Sequence, residues 1–414
     1  MKSVAEALAA ILADAAARGD TGASGAAPPL GSEQVTLHEA PGRVLAEALV
    51  ARRSQPPFDV SSMDGYAVRS ADAAAPGARL RLLGEAPAGH AFDGELTPGT
   101  CVRTFTGGRL PPGADAVLLQ EDAERVGEMV TFREAATPGR FRRPRGLDFR
   151  EGDLLLSPGQ RLGPRHVALA AAAGWPFLAV ARRPRVALLA NGDELVRPGE
   201  PRGPEQILAS STYGLRGYIE AWGGEALDLG IAADDVASLQ AMARGARGAD
   251  LLVTLGGASV GDYDLVQRAL ADLGAGSLEL GFWKVAVRPG KPLIWGRLGE
   301  ARFLGLPGNP VSALVGACLF LRPLLAVLMG APAPPPPLRR ARLGRDLPAN
   351  DRRQDYLRST VTAEGAELIA TPFPVQDSSM LATLARADGL VVRSPHAPAA
   401  RNGDPVDVLL LDPP

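Results

Sequence analysis

Residues 303–314 combine the side-chain types and the spacing of an anion-binding turn. Their sequence, Phe-Leu-Gly-Leu-Pro-Gly-Asn-Pro-Val-Ser-Ala-Leu, predicts a buried strand, a rigid turn and the first turn of a buried helix. Asn309 suits the capping position of a helix, and Pro310 suits the first helical position, where a missing amide hydrogen costs nothing. We therefore expect the amides of Val311 and Ser312 to face phosphate or another oxyanion at the positive end of the helix dipole.

A cationic turn at residues 283–292 precedes this segment. Two prolines exclude a helix there, and alternation through Val287 predicts a strand that ends at Arg288. Lys284, Arg288 and Lys291 would then surround a tight bend. Either segment alone could be a plain connector between elements, but both together, within one α/β unit, favour an anionic ligand.

Three carboxylates follow predicted strands of the same region. Glu194, Asp234 and Asp264 come after strands that we place at residues 186–190, 226–231 and 251–255. Because ligands of parallel sheets bind beyond the carboxyl ends of the strands, we expect these carboxylates to converge beside the cations. Carboxylates repel an anionic substrate unless a divalent cation intervenes, and hard oxygen ligands suit magnesium. The three residues are the predicted Mg²⁺ ligands, although Asp234, Asp264 and the neighbouring Asp235 could equally be helix N-caps.

The loop after the third of these strands, residues 256–264, is rich in glycine. Gly256, Gly257 and Gly261 would let backbone amides approach a ligand closely, as in phosphate-binding loops. The same loop is equally compatible with a structural turn. It supports a ligand site only together with its neighbours.

Two turn-rich segments of an earlier region carry polar groups. Residues 57–68 contain Asp64 in an Asp-Gly pair that could be no more than a turn. Residues 103–117 contain Thr106 on a glycine turn, and the hydroxyl and amide donors of this segment would suit a polar heterocycle or a phosphate.

Ordinary nucleophilic catalysis finds little support in the sequence. The four histidines are scattered without metal-ligand spacing. We therefore expect electrostatic positioning of a substrate rather than attack by a protein nucleophile.

Composition limits the class of protein. The chain has 414 residues, of which 46% are hydrophobic and 22% charged, and its net charge of −2 recruits neither nucleic acid nor a membrane. Two cysteines cannot form a disulfide framework, the N-terminus lacks a signal-peptide pattern, and the apolar stretch 311–321 is shorter than a membrane span. This stretch stops at Arg322-Pro323. We expect the protein to be cytoplasmic.

The elements that must position these residues fall into contrasting regions. Residues 54–143 show short β segments between proline and glycine turns, which indicates a small β domain. From 182 to 330, strands alternate with helices, which predicts a largely parallel sheet. Linkers rich in small residues and proline at 19–31 and 331–337 bracket this body, and the residues after 337 return to short strands.

Six motifs occur in a fixed order along the chain. They are Ser-Met-Asp-Gly-Tyr-Ala-Val-Arg at 62–69, Thr-Gly-x-x-x-Pro-x-Gly-Ala-Asp-Ala-Val at 106–117, Gly-Asp-Glu-Leu at 192–195, Gly-Gly-x-Ser-Val-Gly-x-x-Asp at 256–264, Arg-Pro-Gly-Lys-Pro at 288–292 and Gly-Leu-Pro-Gly-Asn-Pro-Val-Ser at 305–312. Together they resemble the molybdopterin molybdenumtransferase family, the bacterial counterpart of the gephyrin E domain. Each motif alone would be weak, but six in family order over nearly the whole chain are specific.

The resemblance implies an α/β and β multidomain fold, with a central parallel-sheet α/β molybdopterin-binding domain and small β domains. The implied units are an N-terminal helix and linker at 1–32, a linking domain at 33–53 plus 144–182, a small β domain at 54–143, the α/β domain at 183–331 and a β-barrel-like domain at 332–414. A homodimer is also implied, whose active cleft lies between the α/β domain of one subunit and the small β domain of the other.

The implied activity is the Mg²⁺-dependent insertion of molybdate into adenylylated molybdopterin, with release of AMP and the molybdenum cofactor. By position in the family motifs, the implied catalytic residues are Asp64, Thr106, Glu194, Asp234 and Asp264. The implied substrate-binding residues are Asp148, Gly256, Gly257, Ser259, Gly261, Lys284, Arg288, Lys291, Pro307, Asn309, Pro310 and Ser312.

Departures from the family pattern leave two alternatives open. Ala209 stands where the family usually has an Asp, Asn191 and Leu255 replace a Thr and a Ser, and Arg288 replaces a common Lys, which changes hydrogen-bond geometry. An adenylyltransferase is one alternative, because the α/β domain alone resembles the enzyme that adenylylates molybdopterin. A noncatalytic scaffold that kept the fold is the other, although the retained carboxylates argue against it.

Overall fold

Three six-stranded sheets organise the chain. The computed structural model describes residues 1–16, 30–256, 265–266, 268–270 and 278–411. Within these ranges a mixed α/β centre is flanked by two units built from β sheet. This arrangement confirms the predicted multidomain fold class.

Short strands dominate the described part of residues 1–181. The helices are α1 (Val4–Ala16) and α2 (Pro164–Ala172). The strands are β1 (Ser32–Thr36), β2 (Leu49–Val50), β3 (Val60–Ser61), β4 (Gly65–Val68), β5 (Arg79–Ala86), β6 (Thr100–Thr104), β7 (Ala116–Leu119), β8 (Ala123–Val126), β9 (Met129–Phe132), β10 (Arg142–Arg143), β11 (Leu154–Leu156) and β12 (Phe177–Ala181).

Six of these strands form the small β sheet, in the order β7-β4-β6-β5-β9-β8. Its main core contains Tyr66, Leu80, Leu118 and Phe132, all buried. Strand β3 pairs with β10 in antiparallel fashion, so the chain enters and leaves this sheet side by side. The short strands between glycine and proline turns agree with the pattern predicted for this region.

A linking layer surrounds the small β sheet in sequence. Strand β1 pairs with β12, and β2 pairs with β11, both antiparallel. Leu49, Leu162, Ala170 and Leu178 form a separate core beside these pairs. Since each pair joins a strand from before the small sheet to one after it, the small sheet is an insertion into this layer.

The central α/β unit follows. Its strands are β13 (Arg185–Asn191), β14 (Leu195–Val196), β15 (Ile207–Leu208), β16 (Glu225–Ala232), β17 (Leu251–Leu255), β18 (Leu278–Lys284), β19 (Val287–Arg288), β20 (Pro292–Leu298) and β21 (Ala301–Leu306). Its described helices are α3 (Ser211–Ala221), α4 (Val236–Ala243), α5 (Pro310–Gly316) and α6 (Arg322–Leu328).

The central sheet has the order β16-β13-β17-β21-β20-β18. The first four strands are mutually parallel, which confirms the predicted, largely parallel sheet. Side chains of β13 alternate between two cores: Val186 and Leu188 face one, Ala187 and Leu189 the other. Strand β20 is antiparallel to both of its neighbours, β18 and β21. The turn between Leu298 and Ala301 explains the pairing of β20 with β21, because so short a connection permits only antiparallel strands.

One long helix crosses the core behind the site. Helices α5 and α6 are joined by a π-helical segment, Ala317–Leu321, into a continuous helix at Pro310–Leu328. Pro323 lies inside this helix, because the wider π turn relieves the clash that a proline ring makes with the preceding turn. This helix has the length and mean hydropathy of a membrane span, yet 78% of its most apolar window is buried inside the protein. It is packed as a core helix.

A closed β-barrel forms the C-terminal unit. Its elements are β22 (Leu338–Leu343), β23 (Gln354–Glu364), β24 (Glu367–Pro372), α7 (Leu381–Ala385), β25 (Gly389–Arg393) and β26 (Pro405–Leu410). The order is β19-β23-β24-β22-β26-β25, and pairing of β23 with β25 closes the barrel. Strand β19 belongs to the central unit in sequence but pairs with the start of β23, so the two units share main-chain hydrogen bonding.

The central core gives a direct stability prediction. Phe303 on β21 is fully buried, so Phe303→Ala should lower the free energy of unfolding by about 3–5 kcal/mol through lost burial and a residual cavity. Urea unfolding followed by tryptophan fluorescence measures this, because Trp295 pairs with Leu304 in the same sheet. Phe177, 52% exposed, is the matched control, and Phe177→Ala should cost less than about 1 kcal/mol. Equal losses would contradict this description of the core.

Candidate functional site

A cavity of about 900 Å³ lies at the carboxyl ends of β13, β17 and β21, between the central sheet and the C-terminal barrel. Its volume is in the range of small-molecule sites. Nine of the candidate residues line it: Glu194, Asp234, Gly256, Arg288, Lys291, Pro307, Asn309, Pro310 and Ser312. The structure therefore brings the predicted carboxylates, cations and helix start to one place.

Asp234 is oriented by its neighbours rather than used as a helix cap. Its amide donates to Asp193 Oδ1 at 3.0 Å, and Asn191 Nδ2 donates to Asp234 Oδ1 at 3.2 Å. Asp235 instead caps α4 by accepting a hydrogen bond from the Ser238 amide at 2.8 Å. Of two adjacent aspartates, one thus completes a helix and the other is left to line the cavity.

Glu194 lines the cavity two residues after Gly192, whose backbone geometry favours glycine. A Cβ at Gly192 would lie 2.4 Å from Glu194 Oε2, and the φ of Gly192 is +151°, which favours glycine. The Glu194 carbonyl accepts a hydrogen bond from the Ile207 amide at 2.7 Å, which fixes the local backbone. The exposed carboxylate is therefore held at the rim by its own main chain.

The available donors fit a hard cation such as Mg²⁺. Glu194 and Asp234 supply carboxylate oxygens, and the buried Asn191 Oδ1 has no hydrogen-bond partner among the described residues. Mg²⁺ is commonly held by one or two carboxylates plus substrate oxygens. Across the residues that the structure describes, no cluster of three or more His, Cys, Asp or Glu forms a complete metal centre. Asp264, the third predicted ligand, lies outside that part of the chain.

Two glycines bring the sheet end and the helix turn into backbone contact. The φ of Gly256 is +93°, and a Cβ there would lie 2.8 Å from the Asn191 carbonyl oxygen. A Cβ at Gly308 would lie 3.5 Å from the Gly256 Cα. Gly257, Ser259 and Gly261, the other residues predicted in the glycine-rich loop, are outside the described residues.

The start of α5 differs from the prediction in two respects. Asn309 occupies the N-cap position with an extended backbone and Pro310 begins the helix, as expected, but the Asn309 side chain makes no capping hydrogen bond. However, the Val311 amide donates to the Ser378 carbonyl oxygen at 3.2 Å, so the expectation that it faces an anion is wrong. Sequence could not reveal this bond, because it joins residues far apart in the chain.

The three predicted cations have different environments. Lys291 lines the cavity, whereas Lys284 does not, and its ammonium lies 3.9 Å from the Trp283 ring centre. Arg288 lines the cavity, but its guanidinium pairs with Asp355 and Asp351 of the barrel, which raises the pKa of the arginine.

Sequence reasoning missed the barrel side of the cavity. Arg353 and residues 376–379 line it, opposite the strand ends of the central sheet. None of these residues is among the predicted site residues. Their role in the cavity wall becomes visible once the barrel is placed against α5.

Asp64 and Thr106 lie together next to strands β4 and β6 of the small β sheet, and neither lines this cavity. Asp64 Oδ1 accepts hydrogen bonds from the Thr106 amide at 2.7 Å and its hydroxyl at 2.8 Å. These two donors lower the pKa of the Asp64 carboxyl. Asp148 lies in the linking layer, where its amide donates to the Gln55 carbonyl at 3.0 Å.

A thiol nucleophile has no support in the small sheet either. Cys101 is fully buried within it, and burial raises the pKa of its thiol to about 12. A thiol with so high a pKa is uncharged near neutral pH and unreactive.

Three protein-family models match successive parts of the chain. The MoeA N-terminal region (domain I and II) matches residues 2–174, a probable molybdopterin binding domain matches residues 187–327, and the MoeA C-terminal region (domain IV) matches residues 340–411. The second of these contains the strand ends and the helix start of the cavity.

Curated proteins and solved structures agree with these models. The chain is 37% identical to a molybdopterin molybdenumtransferase of Haemophilus influenzae, over 73% of this chain and 74% of that protein. It is 38% identical to molybdopterin molybdenumtransferase 2 of Mycobacterium tuberculosis, over 86% and 89% of the two chains. The crystal structure of a MoeA molybdopterin biosynthesis protein from Pyrococcus horikoshii superimposes with a TM-score of 0.84 at 31% identity, covering 99% of each chain. The chain therefore belongs to the molybdopterin molybdenumtransferase family.

Proposed function

We propose that this enzyme inserts molybdate into adenylylated molybdopterin in a Mg²⁺-dependent reaction that releases AMP and the molybdenum cofactor. Membership of the family already assigns the chain to molybdenum cofactor biosynthesis as a transferase. The observation that carries the finer proposal is the joint placement of Glu194, Asp234 and Lys291 in one cavity at the strand ends. Carboxylates and a cation around one cavity suit a metal ion together with phosphate and oxyanion groups.

The residues of the cavity would act by binding and orientation. Glu194, Asp234 and, by motif position, Asp264 would hold Mg²⁺ against the substrate. A bound Mg²⁺ supplies Lewis-acid polarisation of the pyrophosphate oxygens. Lys291 would balance the charge of phosphate or molybdate, and Pro307 and Pro310 would keep the turn around Asn309 rigid. Ser312, buried at the start of α5, offers a hydroxyl donor to the same groups.

We further propose a homodimer in which the small β sheet of one subunit faces the cavity of the other. This arrangement would give Asp64 and Thr106 access to the substrate, since neither residue lines the cavity of its own chain. The proposed cellular location is the cytoplasm.

An anaerobic assay tests the reaction. Purified protein, adenylylated molybdopterin, Mg²⁺ and molybdate should yield AMP in step with molybdate consumption. AMP release without dependence on molybdate would refute the proposal. Formation of the adenylylated pterin from ATP would favour the alternative adenylyltransferase. Absence of both molybdate insertion and pterin adenylylation would favour a scaffold.

Removing a single carboxylate charge from the cavity should separate catalysis from folding. We expect Glu194→Gln to slow AMP release about a hundredfold, because a ligand of the proposed Mg²⁺ loses its charge. Mn²⁺ binding followed by electron paramagnetic resonance should weaken as well. Glu205 is exposed and close in sequence but does not line the cavity, so Glu205→Gln is the control and should behave as wild type. Equal activity of the two variants would remove Glu194 from the site.

The two lysines of the cationic turn should differ in their effect on substrate affinity. Lys291 lines the cavity, so Lys291→Met should raise the KM for molybdate about tenfold by removing a charge that balances the anion. Lys284 lies outside the lining and over Trp283, so Lys284→Met should change KM far less. Initial rates over a molybdate series provide the comparison, and a larger effect at Lys284 would contradict this assignment.

A shared cleft predicts complementation between two impaired variants. Asp64→Asn and Glu194→Gln should each have only residual activity alone. In a mixed dimer one cleft carries both mutations and the other carries neither, so random mixing should restore about a quarter of wild-type activity. The measurement is AMP release after co-refolding, with each variant refolded alone as control. Failure to recover any activity from proven mixed dimers would place the whole site within one chain.

A further inference from the structure

Arg288 lies in the cavity wall, yet its donors are held by the C-terminal barrel. It forms an ion pair with Asp355 and a second with Asp351, whose Oδ2 lies 3.3 Å from Arg288 Nη1. Arg288 Nη2 also donates to Asn350 Oδ1 at 3.2 Å. A planar guanidinium can serve three acceptors in this fixed arrangement, which the point charge of a lysine cannot reproduce.

Asp355 is the buried member of this group. Only 4% of its side chain is exposed, against 43% for Asp351. Burial raises the pKa of the Asp355 carboxyl, and pairing with Arg288 opposes that effect. Exposed ion pairs contribute little, whereas removing one partner of a buried pair leaves an uncompensated charge. Asp355 therefore determines the position of Arg288 more than Asp351 does.

The charges around Arg288 balance within the barrel wall. Asp351 also pairs with Arg353, 2.8 Å from Nη2 to Oδ2. Arg288 and Arg353 together with Asp351 and Asp355 thus carry two positive and two negative charges. Lys291 differs, since it takes part in no ion pair among the residues that the structure describes. An oxyanion in the cavity would meet little net charge from the Arg288 group.

Strand β23 connects this group to another wall of the cavity. Arg358, on the same strand as Asp355, donates from Nη1 to the carbonyl oxygen of Asp377 at 2.7 Å. Asp377 belongs to the lining segment 376–379, which also contacts the Val311 amide at the start of α5. A shift of β23 against the central sheet would therefore move this lining segment.

We propose that Asp355 is a positioning residue for the transfer reaction. It holds Arg288 as a strut between the central sheet and the barrel, and the strut fixes segment 376–379 against the cavity. Arg288 supports substrate affinity through this contact, without donating a hydrogen bond to the substrate. The inference rests on the proposed function, because it assigns a role within the same cavity.

A double-mutant cycle of Asp355→Asn and Arg288→Gln tests the strut, with AMP release measured over a molybdate series. Each single variant should raise the KM for molybdate about tenfold and change kcat less, because a lining wall is displaced. The double variant should be no worse than the worse single variant, since both remove the same contact. If Arg288 contacts the oxyanion directly, Arg288→Gln alone raises KM and Asp355→Asn, which frees the guanidinium, does not. That result would overturn the proposal.

Hydrogen–deuterium exchange of the ligand-free protein gives a readout independent of catalysis. Both single variants should exchange faster at residues 287–288 and 354–355, and also at 376–379. Glu367→Gln breaks the exposed pair with Arg342, 3.0 Å apart on the same barrel, and as control should alter neither exchange nor KM. Unchanged exchange at 376–379 would refute the strut even if the wild type proves to lack transferase activity.

A purely structural role has its own signature. It would lower the melting temperature of the variants and leave KM unchanged, which would also overturn the proposal. Arg288→Lys keeps the charge and covers the case in which Asp355→Asn does not fold. It should raise KM as Arg288→Gln does, and a wild-type KM would show that the two-nitrogen geometry is not needed.

Discussion

Parallel register among four strands is the constraint on which the rest of the structure depends. Asn191 pairs with Ala232, Ala190 with Leu255, and Leu255 with Leu306, so four chain segments leave the sheet at one level. The residues that follow are Gly192, Ala233 with Asp234, Gly256 and Pro307, and each strand ends there. Carboxylates, a glycine turn and a helix start meet there without any of them being close in sequence. Burial of apolar side chains on both faces of the sheet keeps the four strands in this register.

The sequence was most informative where local chemistry determines structure. Strand ends, the Pro-Gly-Asn-Pro turn and the N-cap at Asn309 follow from backbone preferences that act over a few residues. The choice between Asp234 and Asp235 as helix cap was not accessible, since both side chains satisfy the same preference. Packing around Asn191 and Asp193 decides it.

Long-range contacts account for what the sequence did not reveal. The bond from Val311 to Ser378 and the pairing of Arg288 with Asp355 each join residues more than sixty positions apart. Both depend on the barrel lying against the central unit, which strand β19 secures by pairing with β23. The core helix continues past Pro323 for a local reason, because the π turn before it makes room for the proline ring. The domain bounds and the roles of individual site residues stay predictions.

The carbonyl oxygen of Ser378 at the helix start acts as a tethered competitor. Because it belongs to the same chain, it is present at the Val311 amide at every ligand concentration, whereas a free anion must arrive from solution. A ligand that reached only this amide would have to break a hydrogen bond that the fold already supplies. A ligand that bridges several walls of the cavity has other contacts that offset this exchange.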